Sequence, residues 1–249
     1  MSGHSHWAKV KRAKSANDAR RGKQWGKLAR RIIVAAKVGG GNPDENLSLR
    51  YAIEDAKATN MPNDTIDKAV KKGTGELGAE NYESVVYEGY GPGGVAFLVE
   101  CLTNNRNRTA PEMRKIFERH GGQLGSTNCV AWMFQQKGTF VVSAASADED
   151  ALMELALESG ADDVTTEGDV FQITCPPATF AKVKAALAER SIPTISAQIA
   201  MVPRSTIPVT GMTAEGVLAL MEELEEHEDV QNVYANFDIP DEVMDRMVK

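Results

Sequence analysis

The chain has 249 residues, 42% of them hydrophobic and 25% charged, and a formal net charge of −7 at pH 7. Nothing in it approaches the roughly 20 consecutive apolar residues of a membrane-spanning helix, and the length exceeds the usual domain of roughly 100–150 residues, so two or three water-soluble domains are expected. The charge is unevenly placed: residues 1–37 hold eleven Lys or Arg against one acid, whereas residues 138–249 hold six basic and twenty-one acidic residues.

The basic set at the head is Lys9, Lys11, Arg12, Lys14, Arg20, Arg21, Lys23, Lys27, Arg30, Arg31 and Lys37, with Asp18 as the lone acid. Charges are screened over roughly 8 Å at physiological salt, so a partner meets this local excess rather than the mean charge. The natural partner is a polyanion. No apolar core follows the basic start, which argues against a secretory signal.

From Ser15 to Val38 the pattern is helical. Taking Lys23 as zero, Lys27, Arg30, Arg31, Arg20 and Lys37 fall within an arc from about −40° to +80° at 100° per residue. Trp25, Leu28, Ile32, Ala35 and Ala36 fall opposite, so this helix is expected to pack a core while turning charge outward. Val34 breaks the cationic arc. Gly39-Gly40-Gly41 ends the helix, and Asn42-Pro43 reads as the cap and first position of a second, with Leu49, Ala52, Ile53 and Ala56 as its apolar stripe. A third helix runs from Asn63 to Gly73, burying Ile66, Ala69 and Val70. Residues 1–75 therefore read as a three-helix, nucleic-acid-binding domain.

Beyond Gly73 the apolar period changes to two. Glu83–Glu88 and Val95–Leu102 are expected strands around the turn Gly89–Gly94, followed by a helix at Ala110–His120 and a strand at Cys129–Phe134. That unit lacks a second helix and a closing strand. A separate unit follows: strand Thr139–Ser143, helix Ala147–Ser159, a strand at Val164–Thr166 or Val170–Thr174, helix Ala178–Arg190 and strand Thr194–Val202, in the ferredoxin-like style. Helix Thr213–Glu226 and strand Val230–Phe237 would complete the earlier unit. The expected architecture is α+β multidomain, with one α/β domain from residues 76–135 and 206–240 and a ferredoxin-like α/β domain from 136–205 inserted in it.

Several apparent motifs read better as plain structure, although a phosphate-contact role stays open for the loop Gly122–Gly125. Gly89-Tyr90-Gly91-Pro92-Gly93-Gly94 satisfies GxGxxG, but a strand follows where a nucleotide-binding turn needs a helix. Gly122-Gln123-Leu124-Gly125 resembles a backbone-clamping GxxG loop, but it joins helix to strand rather than two helices. His4 and His6, or Glu223 and His227, lack a completing metal-ligand set. The acids Glu222, Glu223, Glu225, Glu226, Glu228 and Asp229 read as a solvated face over the stripe Val217, Leu218, Met221 and Leu224. The cysteines Cys101, Cys129 and Cys175 lie apart in apolar runs with no CxxC pair, which suits buried thiols in a cytoplasmic protein. No catalytic triad, carboxylate pair, metal set or cofactor motif is evident, so no enzyme and no small-molecule substrate is expected.

The remaining segment with chemistry is Asn104-Asn105-Arg106-Asn107-Arg108-Thr109. Arg106 and Arg108, interleaved with amides, suit phosphate and base edges. Equally, Asn and Thr could cap the helix while the arginines pair with local acids.

Four blocks carry a resemblance: GHSHWAKVKRAKSANDARRGKQWGK at 3–27, AAKVGGGNPDEN at 35–46, YEGYGPGGVAFLVECLTNNRNRT at 87–109 and GGQLGSTNCVAWMF at 121–134. In this order they resemble the YebC/PmpR family over essentially the whole chain. The resemblance implies a cytosolic protein with a helical N-terminal domain and two α/β domains, one inserted in the other. Bacterial members are described as DNA-binding transcriptional regulators, mitochondrial members as translational activators, and bacterial relatives are implicated in helping ribosomes through proline-rich sequences. By position, the basic head corresponds to Lys9 through Arg31, and the central arginines to Arg106 and Arg108. His6 stands where Lys is usual in the family and Gly26 where a small hydroxyl residue is usual.

The expected partner is thus nucleic acid, either ribosomal RNA on the ribosome or promoter DNA. Trp7 among basic residues suits irregular RNA, where stacking and guanidinium contacts matter. No helix-turn-helix or zipper that would set a DNA half-site spacing is apparent. The reading therefore leans to a translation factor that relieves stalling, with a DNA-binding regulator as the alternative.

Overall fold

A computed structural model describes residues 18–78 and 81–240, with side chains of the first helix from residue 22 onward. Among the described residues the first three helices are α1 (Asp18–Gly39), α2 (Leu47–Ala58) and α3 (Asn63–Gly73). Leu28, Ile32, Ile33 and Ala36 of α1 bury against Leu49, Ala52 and Ala56 of α2 and Ile66 and Ala69 of α3. The Trp25 indole lies in this core and donates to the Thr59 carbonyl at 3.2 Å, as its place on the apolar arc implies.

The second helix begins later than Asn42-Pro43. Asn46 is its cap, accepting from the Leu49 amide at 3.1 Å while its own amide donates to the carbonyls of Ala35 and Gly40. One buried side chain thus caps α2 and ties it to the end of α1, whereas Asn42 only accepts from the Asp44 amide within a turn. Gly39 is required by this approach, since a Cβ there would lie 2.6 Å from the Asn46 amide nitrogen.

The next elements are β1 (Glu83–Tyr90), β2 (Ala96–Thr103), α4 (Arg106–Arg119), β3 (Gln123–Leu124), β4 (Phe134–Ser143), α5 (Glu149–Glu158), β5 (Asp163–Glu167) and β6 (Val170–Cys175). Then come α6 (Phe180–Glu189), β7 (Thr194–Pro203), β8 (Ile207–Pro208), α7 (Gly211–Glu226), β9 (Val230–Ala235) and β10 (Phe237–Asp238). One antiparallel sheet has the order β3-β1-β2-β9, and a second has β5-β6-β4-β7. The first therefore draws strands from both sides of the segment that builds the second. In the second, β6 lies between β4 and β5, which is the split β-α-β arrangement of a ferredoxin-like unit. Both alternatives for its middle strand form, as the hairpin β5-β6. The architecture is α+β and multidomain.

Helices α4 and α7 cover one face of the first sheet around Phe97, Val99, Met113, Phe117, Val217, Leu220 and Met221, with Phe97 and Phe117 packed edge to face at 6.0 Å. The turn between β1 and β2 closes through the Gly91 amide donating to the Val95 carbonyl, and Gly93 and Gly94 take positive φ, which supports the hairpin reading of the glycine run. In the second core, the Phe140 and Phe180 rings stack at 4.8 Å. The two sheets meet through a small core of Ala96, Leu98, Val130, Phe134, Ala200 and Tyr234.

Cys129–Phe134 is not a strand. The carboxylate of Glu88, itself buried, accepts from the amides of Asn128 (2.7 Å), Val130 (2.8 Å) and Ala131 (2.8 Å). Those donors curl the chain round the carboxylate instead of extending it along a ladder, and only Phe134 enters β4. The third strand of the first sheet is instead the short β3, inside Gly122–Gly125 and paired with Gly89 and Tyr90. Of the thiols, Cys101 and Cys175 are buried and Cys129 half-buried. Burial, with a smaller contribution from the Asp229 carboxylate, pushes the Cys101 thiol up to about 12, so it stays protonated. Among the described residues no helix is long and apolar enough to cross a membrane.

Candidate nucleic-acid interface

The cationic arc of α1 does not simply face solvent. Lys27 Nζ donates to the Glu225 carbonyl at 2.5 Å, Arg30 donates to the Glu228 carbonyl and carboxylate, and Lys23 Nζ stands 3.9 Å from the Glu226 carboxylate. The acidic end of α7 and the turn after it thus clasp the middle of the basic helix. Arg30 also lies over the Tyr82 ring at 5.7 Å, and Arg31 pairs with Asp55 of α2 at 2.9 Å. Lys37 donates to the Asn81 side chain at 2.7 Å. On the far side of the head, Tyr51 meets Phe180 edge to face and Lys184 pairs with Glu54 at 3.1 Å.

These contacts sort the expected cations. Lys23 stays largely exposed, at 58% of its side chain, and Arg31 remains open at the rim, whereas Arg30 is mostly covered. Exposed pairs of this type contribute up to about 1 kcal/mol and weaken with salt, so a phosphate can replace them. Trp7, Lys9, Lys11, Arg12 and Lys14 lie outside the described residues, and for Arg20 and Arg21 only the helical backbone is described.

Arg106 and Arg108 occupy the first turn of α4, whose cap is Asn105; its side chain accepts from the Arg108 amide at 3.1 Å. Arg106 is well exposed, 3.8 Å from Glu83. Arg108 turns inward and donates through Nη2 to Asp229 Oδ2 at 2.6 Å. The Thr109 hydroxyl donates to the same oxygen at 2.8 Å, and the Thr103 hydroxyl lies 2.7 Å from that of Thr109. Burial alone would raise the Asp229 carboxyl, but the hydrogen bonds from Thr109 and Arg108, with the guanidinium charge, bring it below the ordinary value. Asp229 Oδ1 has no hydrogen-bond donor among the described residues, and Arg30 Nη2 stands 3.8 Å from it. Asp229 therefore gathers Arg108 from α4 and Arg30 from α1 at one buried point.

Glu112, His227 and Asp229 place ligand atoms within 4.8 Å of one another, the one such grouping among the described residues. Its chemistry opposes a metal. The His227 Nδ1 accepts from the Asp229 amide at 3.1 Å, which puts the ring proton on Nε2, and Nε2 faces Glu112 Oε2 at 3.0 Å. The Arg108 guanidinium already supplies the cation between the two carboxylates. Glu223 likewise is no solvated acid: it accepts from Arg119 and lies 2.6 Å from His120 Nε2. Charge pattern alone could not reveal this, since the bases and acids that meet are far apart in the chain.

Residues 5–76 match the family described as the TACO1/YebC protein N-terminal domain, and residues 82–237 match the TACO1/YebC second and third domain. A protein of Pelotomaculum thermopropionicum named probable transcriptional regulatory protein is 53% identical over 243 residues, covering 97% of this chain and all of that one. Another so named, from Dictyoglomus turgidum, is 51% identical and covers 98% of each chain. The crystal structure of a conserved hypothetical protein from Aquifex aeolicus superposes with a TM-score of 0.82 at 48% identity, covering 90% of this chain and 92% of that one.

Proposed function

The chain belongs to the TACO1/YebC family, and from that premise we propose that it is a non-catalytic nucleic-acid-binding regulator of gene expression that acts on translation by contacting ribosomal RNA. The observation that carries this reading is the opposition of charge along one chain, with eleven bases against one acid in residues 1–37 and an acidic remainder. Like charges this dense repel one another unless an anion meets them. The acidic turn meets the helix at Lys23, Lys27 and Arg30, which anchors α1 at its middle.

Nucleic acid then engages Lys9, Lys11, Arg12, Lys14, Arg20 and Arg21 first, with Trp7 available for stacking and Lys23 and Arg31 at the margin. Arg30 and Arg108 hold the head and α4 in place around Asp229. Of the two central arginines, Arg106 is the more exposed on the first turn of α4, with only the exposed Glu83 beside it, and it is the one that aims at phosphate.

A second reading, a transcriptional regulator on duplex DNA, is favoured by the names the relatives carry. Crosslinking in cells followed by sequencing of both RNA and DNA separates the two. The translation reading expects reads concentrated at ribosomal RNA; promoter reads without ribosomal enrichment would replace it with the transcriptional one.

A further inference from the structure

The loop between β3 and β4 presents chemistry that the basic helix does not use. Residues 121–136 contain no charged side chain, although a quarter of the whole chain is charged. The buried Glu88 carboxylate fixes this loop through three backbone amides, and the Glu88 carbonyl takes the Gly125 amide at 2.7 Å. On the scaffold so made, Val130 and Phe134 turn into the core between the sheets, but Trp132 turns out, 68% exposed. Its Nε1 donates to the Cys129 carbonyl at 3.1 Å, and the Tyr90 hydroxyl donates to that same carbonyl at 3.2 Å. Two partly open aromatic rings are therefore tethered to one backbone oxygen, and little side-chain freedom is left for binding to remove.

We infer that this loop is a second nucleic-acid contact, separate from the basic head, which takes an unpaired base of a single strand against the Trp132 ring. The inference rests on the nucleic-acid reading above but concerns a different domain. Its surroundings select the occupant. Ser126, Thr127 and Asn128 are exposed and offer hydroxyl and amide groups for base edges. Arg204, also exposed, is brought alongside by its amide donating to the Met133 carbonyl at 2.8 Å, and supplies a guanidinium for phosphate. The loop's nearest carboxylate in the register, Glu88, is consumed in buried bonds and repels nothing at the surface. An exposed ring flanked by hydroxyls, an amide and a guanidinium is a set that binds base and backbone together. Every base has a π-face, so recognition here tolerates sequence and discriminates single strands from duplexes, whose bases are already stacked.

The test uses the full chain and three labelled probes of about 12 nucleotides: oligouridine, oligothymidine and a duplex. Affinities are measured for the parent protein, Trp132→Ala, Trp132→Phe and the quadruple Glu variant of Lys9, Lys11, Arg12 and Lys14. Trp132→Ala should weaken single-strand binding roughly 5- to 100-fold while leaving duplex binding unchanged, and Trp132→Phe should retain most of the affinity. Photocrosslinking of a 5-iodouridine probe should place an adduct on Trp132, and the two single-strand arms show whether RNA or DNA is preferred. Equal single-strand affinity in the parent and Trp132→Ala, with adducts elsewhere, overturns the inference while the head variant's loss keeps the broader reading intact. Trp132→Ala binding nucleic acid normally but losing a protein partner would overturn it in favour of a protein surface. A parent protein that binds none of the probes removes both readings together.

Discussion

Arg108 and Asp229, 121 positions apart, meet at 2.6 Å, and the carboxylate they share with Thr109 is buried. This bond decides what Arg108 is for. The buried carboxylate holds the guanidinium at the first turn of α4, and a base edge would have to displace Asp229 to engage its Nη2. Asp229→Asn should lower stability by on the order of 1–3 kcal/mol, because the Arg108 and Thr109 donors lose a charged acceptor. Denaturant titration checks it. Nucleic-acid affinity per folded molecule should stay unchanged, and a selective loss of affinity at full stability would return Arg108 to the binding surface.

Stability should also fall in acid, with a definite sign. Burial would raise the Glu223 carboxyl, but the His120 hydrogen bond and the Arg119 charge bring it below its ordinary 4.5, and Asp229 likewise lies below its ordinary 3.8. A depressed folded pKa stabilises the fold at neutral pH, and that contribution is lost as pH falls past the ordinary value and through the folded one. Thermal midpoints should therefore hold from pH 7 to about 5 and drop below about 4.5. In the double variant Glu223→Gln, Asp229→Asn the neutral-pH midpoint should be lower and the acid drop shallower. A drop of the same size in that variant would assign the acid sensitivity to other groups.

If nucleic acid reaches the middle of α1, the acidic turn competes with its phosphates for Lys23 and Arg30. In Glu226→Gln, Glu228→Gln the exposed partners of Lys23 and Arg30 lose their charge. Affinity for nucleic acid at low salt should rise about 2- to 10-fold, and the gain should shrink as salt screens these pairs. Unchanged affinity at low salt would mean that the clasp only positions the head.

Exchanging Arg106 for Lys keeps the charge but removes the fork that can grip a phosphate or base edge bidentately. If Arg106 aims the protein, Arg106→Lys should preserve cosedimentation with ribosomes at low salt and lose a defined footprint. A footprint identical to the parent's would leave Arg106 as a partner of Glu83 alone.

Local chemistry was readable where neighbours in sequence are neighbours in space. The apolar arc of α1 found its core and the glycine run made its hairpin. The start of α2 was misplaced because Asn42-Pro43 is a good local cap, while Asn46 wins by also bonding the end of α1. Cys129–Phe134 has strand composition, and only a carboxylate about forty positions upstream bends it away. The clasp was illegible for the same reason: Arg30 and Glu228 lie 198 positions apart, and each charge run read alone looks solvated. Trp132 gave no periodic signal, since its exposure comes from the backbone turn that Glu88 imposes.

The most direct test of the central claim is the salt dependence of RNA binding by the intact protein. If five to eight head cations replace counterions on phosphate, log affinity against log salt should have a slope of roughly −3.5 to −7. Reversing Lys9, Lys11, Arg12 and Lys14 to Glu should flatten it markedly. A slope near zero in the intact protein, or one that survives the reversal, would contradict phosphate neutralisation by the basic head.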